Sequence, residues 1–394
     1  MGNYDILHLA HSYLPDNLGM SRRMSSLLTN VTYTNHFIVS DRRFSGAKIA
    51  FKDEQDRNNR ITRINTDVPG PVKRCQLELA YQLLFIRQRL VQFAVTEQYK
   101  IIHGHQGPEF ATAACSIANA LDLPLIYEEH VPLADYNHNF VRPILERVRR
   151  YILHRADAII TQTENAKKKI LANYAFDSDK IHVITNGVDS HYFDPAVHSG
   201  AGLQLKQSIG ASQDRLITYI GHLDGEYNGV DLIIKLAHDQ EILAHNLKFL
   251  FVGEGPLKAQ IIEIAKTNSR VIYMPSVPPA QVGPLYSMSD IFLLPRPSRL
   301  ATEILYPLKL LEAMAMEKLV IVSNLTCLRE VVDHGQNGLI FGRESKLTLK
   351  ACVLEALQSN MRPLQRKARE SILARFDWRE SSTELNALYT RLLN

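Results

Sequence analysis

Short apolar runs alternate with longer amphipathic stretches along almost all of the 394 residues, and the alternation stops once and then restarts. An apolar run of four to six residues reads as a strand buried on both faces. An amphipathic stretch long enough to cross back over a sheet reads as a helix, so the pattern is that of βα units building parallel sheets. In the first half, strands are expected at Ile6–Leu9, Phe37–Val39, Ile101–His103, Leu125–Tyr127, Ala158–Ile160 and Val183–Ile184. Phe193 to Gln213, with Asp194-Pro195 and a Gly-Ala-Gly, reads as an irregular linker. Strands then resume at Ile217–Ile220, Phe249–Val252, Val271–Tyr273, Ile291–Leu294, Val320–Val322 and Leu339–Phe341. The fold class is therefore α/β, with two doubly wound Rossmann-like domains facing across a cleft and ligands at the carboxyl ends of the strands.

Composition narrows the function classes. Hydrophobic residues make up 45% of the chain and charged residues 22%, which fits two ordinary globular domains. No apolar run approaches the roughly 18 residues of a spanning helix, and the N-terminus enters directly into a strand pattern, so the protein is expected in the cytoplasm. The net charge is +4, and all of it lies in the first 185 residues, where 23 Lys and Arg face 19 Asp and Glu. That excess is too small for a nucleic-acid partner and allows a weak attraction to anionic lipid on the inner face of a membrane. Val72 to Phe93 is amphipathic and basic, which makes it the candidate for such peripheral contact. Cys75, Cys115, Cys327 and Cys352 form no CxxC pair. His103 and His105 share a strand face with no third ligand evident, and Asp177-Ser-Asp179 sits in a loop, so no metal site is expected.

Neither first βα loop has the GxGxxG that supports a dinucleotide; they read HSYLPDNLGMSRR and GHLDGEYNGV. The strongest local signal for a ligand is Pro295 to Val322. A strand ends in prolines, a loop follows, and a nearly all-apolar helix carries only Lys309 and Glu312. Pro307 suits the first position of that helix, whose opening N–H groups, from Leu308 on, can hold a phosphate. Glu312, in apolar surroundings, needs a partner: an i,i+3 pair with Lys309 or ligand hydroxyls.

The ordered series IIHGHQ, LPLIYEEH, RADAIITQTENAKKKI, KIHVITNGVD, LKFLFVGEGP, YSMSDIFLLP, PLKLLEAMA and LREVVDHGQNGLIF resembles the family-4 retaining glycosyltransferases of the GT-B fold over essentially the full chain. A bacterial exopolysaccharide-type subgroup is similar in placing a Thr-Glu pair before Pro-Leu-Lys. The resemblance implies an acceptor-side domain over residues 1–195, a nucleotide-sugar-binding domain over 196–376, and a last helix over 377–394 that returns to the first domain. It implies that Glu312 accepts ribose hydroxyls, that Glu303 lies near the donor sugar, and that His130 touches that sugar. Eight residues separate Glu303 from Glu312, one more than in relatives, with Glu303 expected before the helix. Gly19, Gly221 and Glu254 join the donor site on the same ground.

The Arg and Lys that many relatives place on the donor diphosphate are missing from GHLDGEYNG. Charge neutralisation is therefore assigned to Lys309, Arg296 or Arg299. Glu128 and Glu129 are expected to raise the pKa of the adjacent His130. The implied activity is metal-independent, cofactor-free, retaining transfer of a sugar from a UDP- or GDP-sugar to a glycan, lipid-linked or small-molecule acceptor, as in polysaccharide synthesis. A catalytically silent subunit of a transferase complex and a GT-B nucleotide-sugar epimerase are the alternatives.

Overall fold

A computed structural model describes residues 4–14, 19–40, 51–56, 59–66, 78–131, 142–342 and 346–394. They form two compact units, one of residues 1–185 with 381–394 and one of residues 186–380. The first unit is built on eight strands: β1 Ile6–Ala10, β2 Asn35–Ser40, β3 Phe51–Asp56, β4 Asn59–Ile64, β5 Ile101–His105, β6 Leu125–Glu128, β7 Ala158–Thr161 and β8 Ile181–Val183. Their order across the sheet is β3-β4-β2-β1-β5-β6-β7-β8, parallel throughout except for the β3–β4 hairpin. The second unit has six parallel strands: β9 Arg215–Ile220, β10 Leu247–Val252, β11 Val271–Met274, β12 Ile291–Leu294, β13 Leu319–Ser323 and β14 Leu339–Phe341. Their order is β11-β10-β9-β12-β13-β14. Both sheets reverse direction of winding beside their first strand, the topology that leaves a ligand crevice at the carboxyl ends.

The strands form where the apolar runs fall because helices cover both faces. Along β10, Leu250 and Val252 belong to one core, while Leu247, Phe249 and Phe251 belong to the core on the opposite face. The β3–β4 hairpin was not foreseen. Its charged residues make it an edge: Arg60 pairs with Asp53 and Arg63 with Glu54.

Three expectations need correction. The supposed linker contains a helix, Pro195–Ser208, because Asp194 caps it by accepting from the Ala196 N–H and Pro195 opens it. Its Gly202 is a packing residue rather than a hinge, since a Cβ there would lie 2.5 Å from Ser287 Oγ of the neighbouring helix Val282–Met288. The chain divides at residue 185 rather than 195, because Val188 and Phe193 are buried in the core of the second unit. The helix after Tyr306 runs Leu308–Ala315, with Pro307 extended at ψ 151° as the cap residue instead of the first helical one.

The last helix is Trp378–Leu393, and from Ser381 onward it is part of the first unit, where Ser382 Oγ donates to Leu27 O at 2.6 Å. Helix Glu164–Asn173 starts at the Thr163 cap, as the sequence indicates. In the segment read as basic and amphipathic, residues 72–77 lie outside the described residues, and helical structure runs from Glu78 to Ala94 with Ile86, Leu90 and Ala94 buried. No described helix is long and apolar enough to cross a membrane.

Candidate active site

In the second unit, the loops after β9 and β12 reach the start of helix Leu308–Ala315 through Gly221 beside Lys309 and Arg296 on Leu305 O, and the loop after β10 packs on the β9 loop at Gly221 and Leu223. Gly221, just after β9, has φ +136°, and a side chain there would overlap Lys309 Nζ. The positive φ is what calls for glycine at this position, since the lysine end could move aside. The Lys309 ammonium lies 4.4 Å from the centre of the Tyr219 ring and donates to Tyr219 Oη at 2.7 Å and to Asn228 Oδ1 at 3.4 Å. Burial, and after it the nearby Arg296, lowers its pKa to about 7. Arg296 itself donates to Leu305 O at 2.7 Å and Tyr227 O at 3.3 Å, both uncharged acceptors. Among the described residues neither cation forms an ion pair with a carboxylate.

Glu312 is 3% exposed and accepts from Tyr286 Oη at 2.7 Å. The i,i+3 pair with Lys309 is not formed, because the lysine turns to Tyr219 and Asn228. Glu303 precedes helix Leu308–Ala315, as expected, but is no exposed loop carboxylate: it lies within a short helix of its own, Leu300–Ile304, and is 9% exposed. It accepts from Ser298 Oγ at 2.7 Å and the Thr326 N–H at 2.9 Å. Other expected residues are less engaged. Arg299 is exposed and donates only locally, to Ser298 O. The Glu254 carboxylate is taken by Lys258 at 2.8 Å and Tyr273 Oη at 3.2 Å on the surface, while its backbone carbonyl accepts from Leu223. Gly19 opens helix Gly19–Leu27 with open space where a Cβ would go.

The first unit carries a buried polar cluster of another kind. The register of its parallel strands sets His8 beside His103 and His105 beside Glu128. Glu128 is fully buried, and Arg23 donates to its Oε1 at 2.6 Å while also reaching Ile184 O and Thr185 O at 2.7 Å. Burial alone would raise the Glu128 pKa, but Arg23 and the histidines hold it well below the usual carboxylate range. His130, far from being raised, is lowered to about 3 by burial. Sequence neighbours misled here, because Glu129 turns away to a bidentate pair with Arg149 at 2.6 and 2.7 Å. Gln162 Nε2 donates to His130 Nδ1 at 2.6 Å, so the His130 proton sits on Nε2, 3.5 Å from His105 Nδ1.

Two sets of donor atoms, His8/His103/His105 and His105/Glu128/His130, come within 4.8 Å of one another and are the residues able to surround a metal ion. Sequence reasoning saw only the two histidines of β5 and missed the third donors, which come from β1 and from β6 and its following loop. In contrast, Asp177 and Asp179 are exposed, with Asp177 capping a single turn. Cys115, Cys327 and Cys352 are buried thiols, and Cys75 lies outside the described residues.

Two family models match, together covering most of the chain: "Glycosyltransferase Family 4" over residues 49–192 and "Glycosyl transferases group 1" over residues 214–359. Solved structures of the same two-domain shape include Anabaena Alr3699/HepE in complex with UDP, with a TM-score of 0.73 at 16% identity over 98% of this chain and 100% of that one. Another is sucrose-phosphate synthase from Thermosynechococcus elongatus, with a TM-score of 0.76 at 15% identity over 98% and 99%. The chain belongs to the group 1, family 4 glycosyltransferases of the GT-B fold. Among curated relatives of this glycosyltransferase, an uncharacterized glycosyltransferase of Methanocaldococcus jannaschii, MJ1607, is 24% identical over 46% of each chain. Alpha-maltose-1-phosphate synthase of Mycolicibacterium smegmatis is 24% identical over 62% of this chain and 66% of its own length.

The residues that sequence reasoning missed are the partners supplied from afar: Tyr219, Asn228 and Tyr286 around the lysine and glutamate, and Arg23, His8 and Gln162 around Glu128. The unpaired Lys309 gives this glycosyltransferase a pH signature. Below about pH 7 the folded chain holds a poorly solvated ammonium, whereas above it the proton leaves the folded chain and stays on the unfolded one until near 10.5. Stability from this group therefore rises with pH across that window. Lys309→Met is expected to stabilise the fold by on the order of 1 kcal/mol at pH 6, seen as a higher melting temperature, with a smaller gain at pH 9. Thermal melts of both proteins at the two pH values check it.

Proposed function

We propose that this glycosyltransferase moves a sugar from a nucleotide diphosphate sugar, UDP- or GDP-linked, to a hydroxyl of a glycan, lipid-linked or small-molecule acceptor, with retention at the sugar carbon. The donor is assigned to the second unit and the acceptor to the first, in the setting of polysaccharide or glycoconjugate synthesis. One observation carries this reading: Lys309 and Arg296 stand together at the carboxyl end of a parallel sheet and, among the described residues, neither forms an ion pair, the buried Asp224 attracting both only from farther off. Poorly solvated cations without a paired carboxylate call for an anionic ligand, and a helix start beside them adds to the positive potential. That a structural neighbour is described in complex with UDP-glucose supports the class of ligand.

In the proposed reaction the bond from the anomeric carbon to the diphosphate oxygen breaks, and a bond from that carbon to the acceptor oxygen forms on the same face. The acceptor proton passes to the departing diphosphate oxygen. Lys309, protonated once the diphosphate is bound, and Arg296 stabilise the charge that develops there. Glu312 accepts the ribose hydroxyls, and Glu303, held by Ser298 and the Thr326 amide, accepts from hydroxyls of the transferred sugar. His130 is neutral and is assigned contact with that sugar and no proton transfer; its single N–H, on Nε2, faces His105 Nδ1 at 3.5 Å and must turn from it to reach the sugar. Pro307 and Leu308 present the helix start to phosphate, and Gly221 keeps the space beside Lys309 open.

Calorimetric titration of UDP and GDP tests the site. One nucleotide is expected to bind, and Glu312→Ala to weaken it at least about tenfold through loss of hydrogen bonds to a charged group. Lys309→Ala and Arg296→Ala should each weaken it as well, and unchanged affinity in both would remove them from the site. Failure of the folded protein to bind either nucleotide would favour the silent-subunit reading.

Transfer is expected to survive dialysis against EDTA. Both ring nitrogens of His8, His105 and His130 already have polar partners inside the protein, and Arg23 occupies one oxygen of Glu128. Loss of activity that zinc or magnesium restores would overturn metal independence.

Peripheral membrane contact is assigned to the helical stretch from Glu78 to Ala94, where Leu84 and Phe85 are 57% and 56% exposed side by side, with exposed Arg89 one turn on. Co-sedimentation with vesicles rich in phosphatidylglycerol should fall in a Leu84→Ser/Phe85→Ser variant. Equal sedimentation of both proteins would rule this surface out.

A further inference from the structure

Tyr389, on the last helix, is fully buried, and its Oη lies 2.8 Å from His103 Nδ1. Which atom donates in that bond follows from the rest of the cluster. Asn35 donates its amide N–H groups to Tyr33 O and Asn59 Oδ1, so its Oδ1 is the acceptor facing His8 Nε2 at 3.0 Å. His8 therefore carries its proton on Nε2 and leaves Nδ1 bare. His105 Nε2, 3.1 Å from that bare nitrogen, must then hold the His105 proton. The other nitrogen, His105 Nδ1, lies 3.5 Å from His130 Nε2.

This leaves Glu128 Oε2 with no hydrogen-bond partner. His105 Nδ1 lies 3.4 Å away, outside hydrogen-bond geometry. His103 Nε2, equally buried and equally without a hydrogen-bond partner, is 3.6 Å away. A bare lone pair pointed at a buried carboxylate oxygen is repelled, whereas an N–H dipole in the same place is attracted even at that length. The His103 proton thus belongs on Nε2, its Nδ1 is the acceptor, and the Tyr389 hydroxyl donates.

We propose that Tyr389 is a positioning residue: by donating to His103 it turns the His103 N–H onto Glu128 and so orients the carboxylate whose other oxygen lies 3.8 Å from His130 Nε2. The proposal rests on the transferase reading given above. The path is short and continuous, running from the last helix through Tyr389, His103 and Glu128 to His130, and Arg23 fixes the far side of the carboxylate. No other side chain supplies this role from the last helix. Thr390, the next residue, is exposed, donates to Asn386 O at 2.9 Å and shares a hydrogen bond of 2.8 Å with Tyr33 Oη.

The test uses the full chain with ¹⁵N-labelled histidines. Long-range proton–nitrogen correlations show which ring nitrogen carries hydrogen, and His103→Gln identifies the His103 signals among the 15 histidines. The wild type is expected to show His103 protonated at Nε2. Tyr389→Phe keeps the ring and its packing, and should replace that single form by a mixture and lower kcat about tenfold at an unchanged donor KM. Thr390→Ala, which also removes a hydroxyl bond from the last helix, should change neither. A wild-type His103 protonated at Nδ1 overturns the proposal, as does an unchanged kcat in Tyr389→Phe or an equal loss in Thr390→Ala. Absence of any transfer by the wild type overturns the transferase reading and the positioning role together, whereas the wrong tautomer in an active enzyme overturns the positioning role alone.

Discussion

A parallel sheet covered on both faces forbids polar side chains along its strands unless each has a partner, and this constraint shapes everything functional in the chain. In the second unit it is obeyed almost completely. The strands are apolar on both sides, and charged groups gather where β9, β10 and β12 end. In the first unit it is broken at His8, His103, His105 and Glu128, in the middle of the sheet. Those residues are tolerated because most of their polar atoms meet one another, with Arg23 brought in from helix Gly19–Leu27 to neutralise the only carboxylate of the set, although Glu128 Oε2 and His103 Nε2 have no hydrogen-bond partner.

The two units therefore handle buried charge in opposite ways. Glu128 and Arg23 form a closed pair at 2.6 Å that nothing from outside needs to complete. Lys309 and Arg296 form an open pair, two like charges held near each other by neutral oxygens and an aromatic face. Removing one partner from a closed pair strands the other and is strongly destabilising, whereas replacing a member of an open pair relieves repulsion. A charge arrangement that lowers stability when empty and is relieved by an anion is the behaviour expected of a binding site. The closed pair instead serves to orient what is packed around it.

Much of this was legible in the chain itself, and what was not has physical causes. All six strands of the second unit could be placed because runs such as LKFLFV admit no other buried arrangement. The β3–β4 hairpin escaped because FKDEQD and NRITRI carry their charges on an edge, where the apolar signal is weak. Helix Pro195–Ser208 escaped because Asp194-Pro195 and Gly-Ala-Gly read as irregular structure, whereas Asp194 caps the helix and Gly202 serves close helix packing. Glu312 and Lys309 stood out as two charges in an apolar helix, yet their partners Tyr286 and Tyr219 lie 26 and 90 residues away. The direction of the His130 shift was misjudged because burial outweighs the raising effect of Glu128. Adjacent residues in a strand point to opposite faces, so Glu128 and Glu129 do not act on one neighbour together.

The same separation explains why the last helix matters beyond packing. A residue at position 389 has no local reason to influence a strand at position 103, and a sequence reading finds only an amphipathic helix there. Once the helix is seated, however, a single hydroxyl decides between two forms of a buried imidazole that differ by the position of one proton. In a site without solvent such a choice is not averaged away, because each misplaced N–H leaves a carboxylate oxygen facing a lone pair. Polar groups kept inside a parallel sheet thus carry information between distant parts of the chain that apolar ones do not.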